Sequence, residues 1–520
     1  MVNLVRSLAP SRKPLLRLCA ALALVVVAAV SWSPLAEAGR AFRADHSAVW
    51  QPAGEIGREE VLTGLAPPKN GLKPDSPNII LITVDTWRAD RLHLYGAETE
   101  TSPWLDLLAE DSLVFERAVA PSSWTWPTVV SIATGVYPKR HGVQKPHSAL
   151  CEEATTLAEV LHTAGWRTGF VGSNEYFEPL LSGYRQGFEY FWSGTEDADR
   201  VSEYSRYFLD GAADEPFFLH AHFFDPHCPY DASEMYLNAV RETPGPARGL
   251  EPGESIPDIP VEQALQHLCH VVPPLDRNVQ ELTVADWNSS TTVQDYLDYY
   301  DAELLETDGA LKNFSELLKS YKDWENSWII LTGDHGEEFN EHGRVGHGVN
   351  LYSETTWVPL IIRPPGGLKG GGKRIKDPVS LVDIAPTLFD AAGLNPAPGL
   401  DGWSLMAAVR GEALVPRTVF AETSYEGTEA WWLAERFDRR LLVETSGRRA
   451  EMYASEDVMD RNNLLAGNAE GYDQIRAAGL ARLLHKERTH QASQPVCIDS
   501  IQPLDEEHKE QLRSLGYTTD

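Results

Sequence analysis

A chain of 520 residues, 42% hydrophobic and 9% aromatic, is long enough to bury a large core, and this make-up excludes a disordered protein. Its formal charge of -31 disfavours nucleic acid and anionic membrane as partners. The same charge repels a polyanionic substrate unless local cations meet it, and a bound metal ion is one way to supply them.

Residues 1–38 read as an export signal. Arg6, Arg12, Lys13 and Arg17 precede an apolar run from Leu18 to Val30, and Ala36-Glu37-Ala38 offers a small-x-small cleavage site. The run of 13 residues is short of the roughly 20 that span a bilayer. An exported protein, periplasmic or secreted and without a stable membrane span, is therefore expected; an uncleaved anchor is the competing reading. Cys19 leaves with the signal. Cys151, Cys228, Cys269 and Cys497 remain, enough for two disulfides in any of three pairings or for unpaired thiols.

After an irregular lead-in over 39–75, Asn78–Val84 is a buried-strand run that ends at Asp85. Ser102-Pro103 opens a helix. In the segment Ser123–Gly135, Pro127 fits a first helical turn, which places Thr125 just before the helix N-terminus. A hydroxyl there faces free backbone N–H groups that also suit a tetrahedral anion; a plain N-cap is the bland alternative. Thr155 or Thr156 opens a helix that stops at Gly165. Phe217–Phe224 is a second buried strand, ending at Asp225-Pro226-His227.

Residues 232–290, rich in Pro, Gly and acids, read as a variable surface insertion. Residues 291–320 carry Tyr300, Leu304, Leu311 and Leu318 at helical spacing. Trp328–Thr332 is a third strand, ending at Gly333-Asp334-His335. Beyond about 410, short alternating runs such as Arg440–Val443 predict a smaller C-terminal α+β subdomain over 410–520, with antiparallel strands. The expected fold over 76–409 is α/β, with a largely parallel or mixed central sheet flanked by helices. Three strands end in acidic or imidazole side chains, where open α/β sheets bind ligands, and that coincidence points to a metal site.

Ordered motifs extend the pattern. They are Asp85-Thr86-Trp87-Arg88-Ala89-Asp90 with Tyr95-Gly96, then Pro127 with Thr134-Gly135, and then His222-Phe223-Phe224-Asp225-Pro226-His227 with Pro229-Tyr230. Gly333-Asp334-His335-Gly336-Glu337, Glu341-His342-Gly343 and Gly346-His347-Gly348 follow, with Asp383-Ile384 and Leu400-Asp401-Gly402 closing the series. In this order the chain resembles the sulfatase-like branch of the alkaline-phosphatase superfamily, and Leu512–Tyr517 looks like that family's tail.

The resemblance implies that Asp85, Asp334 and His335 bind one divalent metal, with Thr86 a candidate neutral ligand. A second metal on Asp225, His222 and His347 stays open. Thr125 stands at the nucleophile position, and His227 and His347 stand where the family binds ester oxygens or protonates the leaving group. His342 reads as a surface or supporting histidine, and Glu337-Glu338 as a solvated pair.

Two departures from the family pattern favour phosphorus chemistry. Sulfatases oxidise Cys or Ser, within Cys/Ser-x-Pro-Ser/Ala-Arg, to formylglycine. Here Thr125-Trp126-Pro127-Thr128-Val129 lacks the arginine, and oxidising a threonine gives a ketone in place of the aldehyde. Gly172-Ser173-Asn174-Glu175 also stands where two sulfate-binding cations belong. An imidazole beside Asp334 suits zinc or manganese better than calcium. The expected activity is hydrolysis of a phosphate monoester, phosphodiester or phosphonate ester on a small-molecule, glycan or lipid-headgroup substrate, through a covalent Thr125 intermediate. The rivals are a sulfatase, a phospho-headgroup transferase, and a binding protein that keeps the fold without catalysis.

Overall fold

The computed structural model describes residues 72–73 and 76–466, apart from 147, 178–182, 195–197, 213–214, 229, 243–292, 322–323, 396, 398, 426–429, 437–438 and 446–448. The export signal, nearly all of the lead-in, residues 243–290 of the expected insertion, Cys269, Cys497 and the tail at 512–517 lie outside the described residues.

Runs without a polar face build the centre of the molecule. Strands β1 (Asn78–Val84), β5 (Phe217–Phe223) and β6 (Ser327–Gly333) are buried along their whole length, as strands covered on both faces must be. They join β2 (Leu113–Val119), β3 (Arg167–Ser173), β4 (Tyr190–Gly194), β9 (Trp357–Arg363) and β10 (Lys373–Ile375) in the order β10-β2-β9-β6-β1-β5-β3-β4. The short β11 (Val379–Ser380) also pairs with β2. Only β9 runs antiparallel to its neighbours β2 and β6, so the sheet is mainly parallel, as expected.

Successive side chains of β1 serve opposite faces. Ile79 and Leu81 pack under helices α2 (Thr125–Thr134), α3 (Leu157–Ala164) and α7 (Ile384–Ala391). Ile80, Ile82 and Val84 pack under α1 (Pro103–Ala109), α4 (Ala198–Ala212) and the long α6 (Val293–Ser320). Helix α3 starts at a reciprocal Thr156–Glu159 capping box and stops at Gly165, which adopts φ 105°. Part of the expected insertion is ordered as α5 (Glu234–Glu242), whose Leu237 and Val240 pack on Ala302 of α6.

Beyond the main sheet, β12 (Val419–Thr423), β13 (Trp431–Arg436), β14 (Arg439–Glu444) and β15 (Ala450–Ala454) form an antiparallel sheet in sequence order. Its inner face, including Val419, Trp431, Leu433 and Leu442, packs on Val119, Leu351 and Tyr352 of the main unit. Cys151 and Cys228 are both disulfide-bonded, which decides against free thiols at these two positions. Among the described residues no helix is long and apolar enough to cross a membrane.

Candidate active site and metal centre

Strand register brings the first residues together. Val84 pairs with Phe223 on one side and Gly333 on the other. One residue further on, the Asp85 amide donates to the Phe223 carbonyl at 2.9 Å and the Asp334 amide to the Val84 carbonyl at 3.1 Å. Asp85 and Asp334 therefore leave adjacent strand ends side by side. His222 enters from β5, in register with Thr83. Gly333 is needed for the close approach, because a Cβ there would meet the Trp87 carbonyl oxygen at 2.7 Å.

One ligand atom each from Asp85, His222 and Asp334 lies within 4.8 Å of the other two. His335 Nδ1 donates to the Gly336 carbonyl at 2.8 Å. A carbonyl only accepts, so a neutral His335 ring keeps its lone pair on Nε2. That nitrogen lies 3.2 Å from Asp85 Oδ1, 3.7 Å from Asp334 Oδ2 and 3.1 Å from Thr125 Oγ1. The Thr125 hydroxyl is also 3.3 Å from both Asp85 oxygens.

Asp85, Thr125, His222, Asp334 and His335 are all 0% exposed, so water cannot compensate their polar atoms. Asp334 Oδ2, His222 Nε2 and the Thr86 hydroxyl are buried with no hydrogen-bond partner. Burial opposes the charge of Asp85, but His227, then His222 and His335, hold its carboxyl well below the usual carboxylate range. Burial, and then the Asp85 charge itself, pushes the Asp334 carboxyl well above it. A divalent cation fits this set. It neutralises the conflict between the two carboxylates and uses the lone pairs that have no donor.

Around this group stand the other expected residues. Thr125 is the first residue of α2 and Trp124 precedes the helix, so the threonine sits inside the helix and is not its cap. Pro127 is accordingly third, where its missing N–H is still harmless. The His347 ring lies 4.5 Å from that of His335 and 5.2 Å from that of His227. His347 Nδ1 is 3.0 Å from Glu337 Oε1. His227 Nδ1 donates to the Cys228 carbonyl at 2.7 Å, and burial lowers the pKa of this ring although Asp85 opposes the shift. Thr86 adopts a left-handed φ of 48°, and its carbonyl accepts from Tyr300 Oη at 2.6 Å.

The structure corrects one expectation and adds to two others. Glu337 and Glu338 are not a solvated pair; both are buried, Glu337 against His347 and Glu338 bonded to Asn350 at 2.8 Å. Burial raises and His347 lowers the Glu337 pKa, leaving it below the usual value. His222, left open above as a ligand of a second metal, lies together with Asp85 and Asp334. Asn174 is not merely a lost cation, because its Nδ2 donates to Asp85 Oδ2 at 3.0 Å. Arg88, from the first motif, is buried and ties the acid-bearing loop to the end of β1. Its Nη1 reaches the Glu337 carbonyl at 2.8 Å and Glu341 Oε1 at 2.6 Å, and its Nη2 reaches Asp90 at 2.8 Å.

A mainly parallel sheet whose carboxyl ends gather two aspartates and two histidines beside a buried hydroxyl defines an ester hydrolase of the alkaline-phosphatase-like fold. Residues 77–394 match the sulfatase family, and the chain belongs to it. It is 24% identical over 399 residues to the multifunctional alkaline phosphatase superfamily protein PehA of Trinickia caryophylli, covering 63% of this chain and 76% of that protein. Against the N-acetylglucosamine-6-O-sulfatase of Bacteroides thetaiotaomicron the identity is 24%, over 65% of this chain and 72% of that one. The crystal structure of the phosphonate monoester hydrolase of Agrobacterium radiobacter superposes with a TM-score of 0.66 at 22% identity, over 79% of this chain and 96% of that one.

Proposed function

We propose that the protein hydrolyses a phosphate monoester, phosphodiester or phosphonate ester, with Thr125 as the nucleophile and Asp85, His222, Asp334 and His335 holding one divalent metal. The observation that carries this reading is the placement of Thr125 Oγ1, at 3.1 Å from His335 Nε2 and 3.3 Å from both Asp85 oxygens. Two imidazoles with two carboxylates favour zinc or manganese over calcium. A cation held there supplies positive charge that lowers the hydroxyl pKa and withdraws charge from the ester oxygens.

The Thr125 hydroxyl gives up its proton to water, Oγ attacks phosphorus, an Oγ–P bond forms and the P–O bond to the leaving group breaks. His347 supports the departing oxygen by giving it a proton. Its Nδ1 is held by Glu337 Oε1 at 3.0 Å, which fixes the ring and leaves Nε2 to deliver the proton. In His227 the Nδ1 hydrogen is engaged by Cys228, so the neutral ring offers Nε2 as an acceptor and serves better to position the ester or a water. Water then attacks the phosphothreonine, the P–Oγ bond breaks, and Thr125 regains its proton. A threonine has no second hydroxyl with which to expel sulfate by elimination, whereas hydrolysis at phosphorus needs none.

Acid-quenched turnover of an aryl phosphodiester, followed by mass spectrometry, is expected to place the phosphoryl group on Thr125. Full activity of Thr125→Ala would refute the nucleophile, and faster turnover of a matched aryl sulfate would favour the sulfatase reading. Export to an oxidising compartment is part of the proposal; the disulfides at Cys151 and Cys228 and the signal-like N-terminus support it.

A further inference from the structure

A chain of buried hydrogen bonds leads away from the candidate metal centre, between β1 and β5. Thr83 Oγ1 lies 2.7 Å from His222 Nδ1 and 2.9 Å from His220 Nε2, and His220 Nδ1 lies 3.0 Å from Tyr184 Oη. Thr83, Tyr184, His220 and His222 are each at most 1% exposed. His220 packs edge-on against Phe170 at 5.2 Å, surroundings that favour a neutral ring. The same chain places His222 Nε2, buried and without a hydrogen-bond partner, 3.7 Å from Asp85 Oδ2.

Donor counting ties the directions of these bonds to one another. A hydroxyl has one hydrogen and a neutral imidazole has one N–H, so Thr83 donates to one histidine and accepts from the other. If His222 offers its Nε2 lone pair to a cation, its hydrogen sits on Nδ1 and is donated to Thr83. Thr83 must then donate to His220 Nε2, and His220 Nδ1–H donates to Tyr184. With a hydrogen on His222 Nε2 facing Asp85, every one of these bonds points the other way. No net proton is gained or lost between the two states.

We propose that Thr83, His220 and Tyr184 are positioning residues that hold His222 in the Nδ1–H form for metal binding, and that metal loading reverses the polarity of the whole chain. The inference rests on the reading of His222 as a metal ligand. Partners of this kind behind a ligating histidine typically change metal affinity by about 10–100-fold.

The test compares chelator-treated and zinc-loaded full-length protein carrying 15N-labelled histidine. Loading is expected to move both His222 and His220 to the Nδ1–H form, read from two-bond 15N–1H correlations. Zinc affinity, measured by competition with a chromophoric chelator, is expected to fall about 10–100-fold in Thr83→Val and to recover in Thr83→Ser. Tyr184→Phe, which leaves β1 untouched, is expected to weaken zinc binding in the same direction and covers the case in which Thr83→Val does not fold. Wild-type protein that binds no zinc would overturn the metal reading itself. Wild-type protein that binds zinc with His220 unchanged, or with Thr83→Val and Tyr184→Phe both at full affinity, would overturn the relay alone.

Discussion

Asn174 shows how one amide can matter at a buried centre. Its Nδ2 occupies one lone pair of Asp85 Oδ2 and so limits the directions left to that carboxylate. Asn174→Ala is expected to lower metal affinity and kcat/KM by about 10–100-fold, with the folded far-UV spectrum retained; metal titration and steady-state kinetics check it. The two outer histidines should separate by leaving group. His347→Gln is expected to reduce kcat by about 100-fold or more for alkyl esters and only slightly for p-nitrophenyl esters, whose leaving group needs no proton. His227→Gln should show a weaker dependence, so the slope of rate against leaving-group pKa distinguishes them. The places of Asp85 and Asp334-His335 were legible in the sequence because each follows a largely apolar strand run. Asn174 was not, since its role depends on β3 lying two strands from β1. A usable hint for His222 was present: Thr83 is the polar interruption in β1, and His220 and His222 share one face of β5 at a spacing of two.

At the scale of elements, the segment from β6 to β9 carries His347, the proposed acid, and its position is set from two sides. Its small hairpin, β7 (Glu338–Phe339) with β8 (Val345–Gly346), is held by Arg88 from the β1 end. On the other side His342 Nδ1 meets Glu354 Oε1 at 2.5 Å and its Nε2 meets the Asp460 carbonyl at 3.1 Å. Burial disfavours the His342 charge, yet Glu354 and Asp460 raise its pKa to about 9. The folded pKa thus exceeds the unfolded value of about 6.5, so protonation favours the folded state. This stabilisation is full below about pH 6.5 and disappears as pH rises through about 9. His342→Gln is therefore expected to be less stable than wild type by about 2 kcal/mol at pH 6 and to converge on it above pH 9.5; denaturant melts at the two pH values test this. The sequence could not disclose the burial of Glu337 and Glu338, because their partners His347 and Asn350 lie beyond the turn that folds back over them.

Across the whole molecule, the antiparallel C-terminal sheet is part of the reaction centre's support. The Gly348 amide donates to the Ser123 carbonyl at 2.8 Å, and its own carbonyl accepts from Thr423 Oγ1 at the end of β12. Gly348 adopts φ 92°, and a Cβ there would come within 3.1 Å of the Tyr425 ring. Tyr425 in turn packs edge-on to Trp124 at 5.3 Å, so the turn after His347 is clamped between the start of α2 and the second sheet. Alternating runs revealed that sheet's strands but not this contact, which depends on how two sheets pack. The charge of -31 opposes the approach of an anionic ester, so kcat/KM for a dianionic substrate is expected to rise with salt between about 10 and 150 mM, as screening shortens from about 30 to 8 Å. A neutral-leaving-group diester with a single charge should respond less, and stopped-flow or initial-rate series would show the difference.

Asp85, His222 and Asp334 come from β1, β5 and β6, three neighbours in one sheet. Sliding any of these strands by a single residue turns its contribution to the opposite face, so a misaligned sheet cannot assemble the chelate. A cation held there as proposed would therefore be bound only by chains whose three strands pair in this register, which ties ion binding to correct strand alignment.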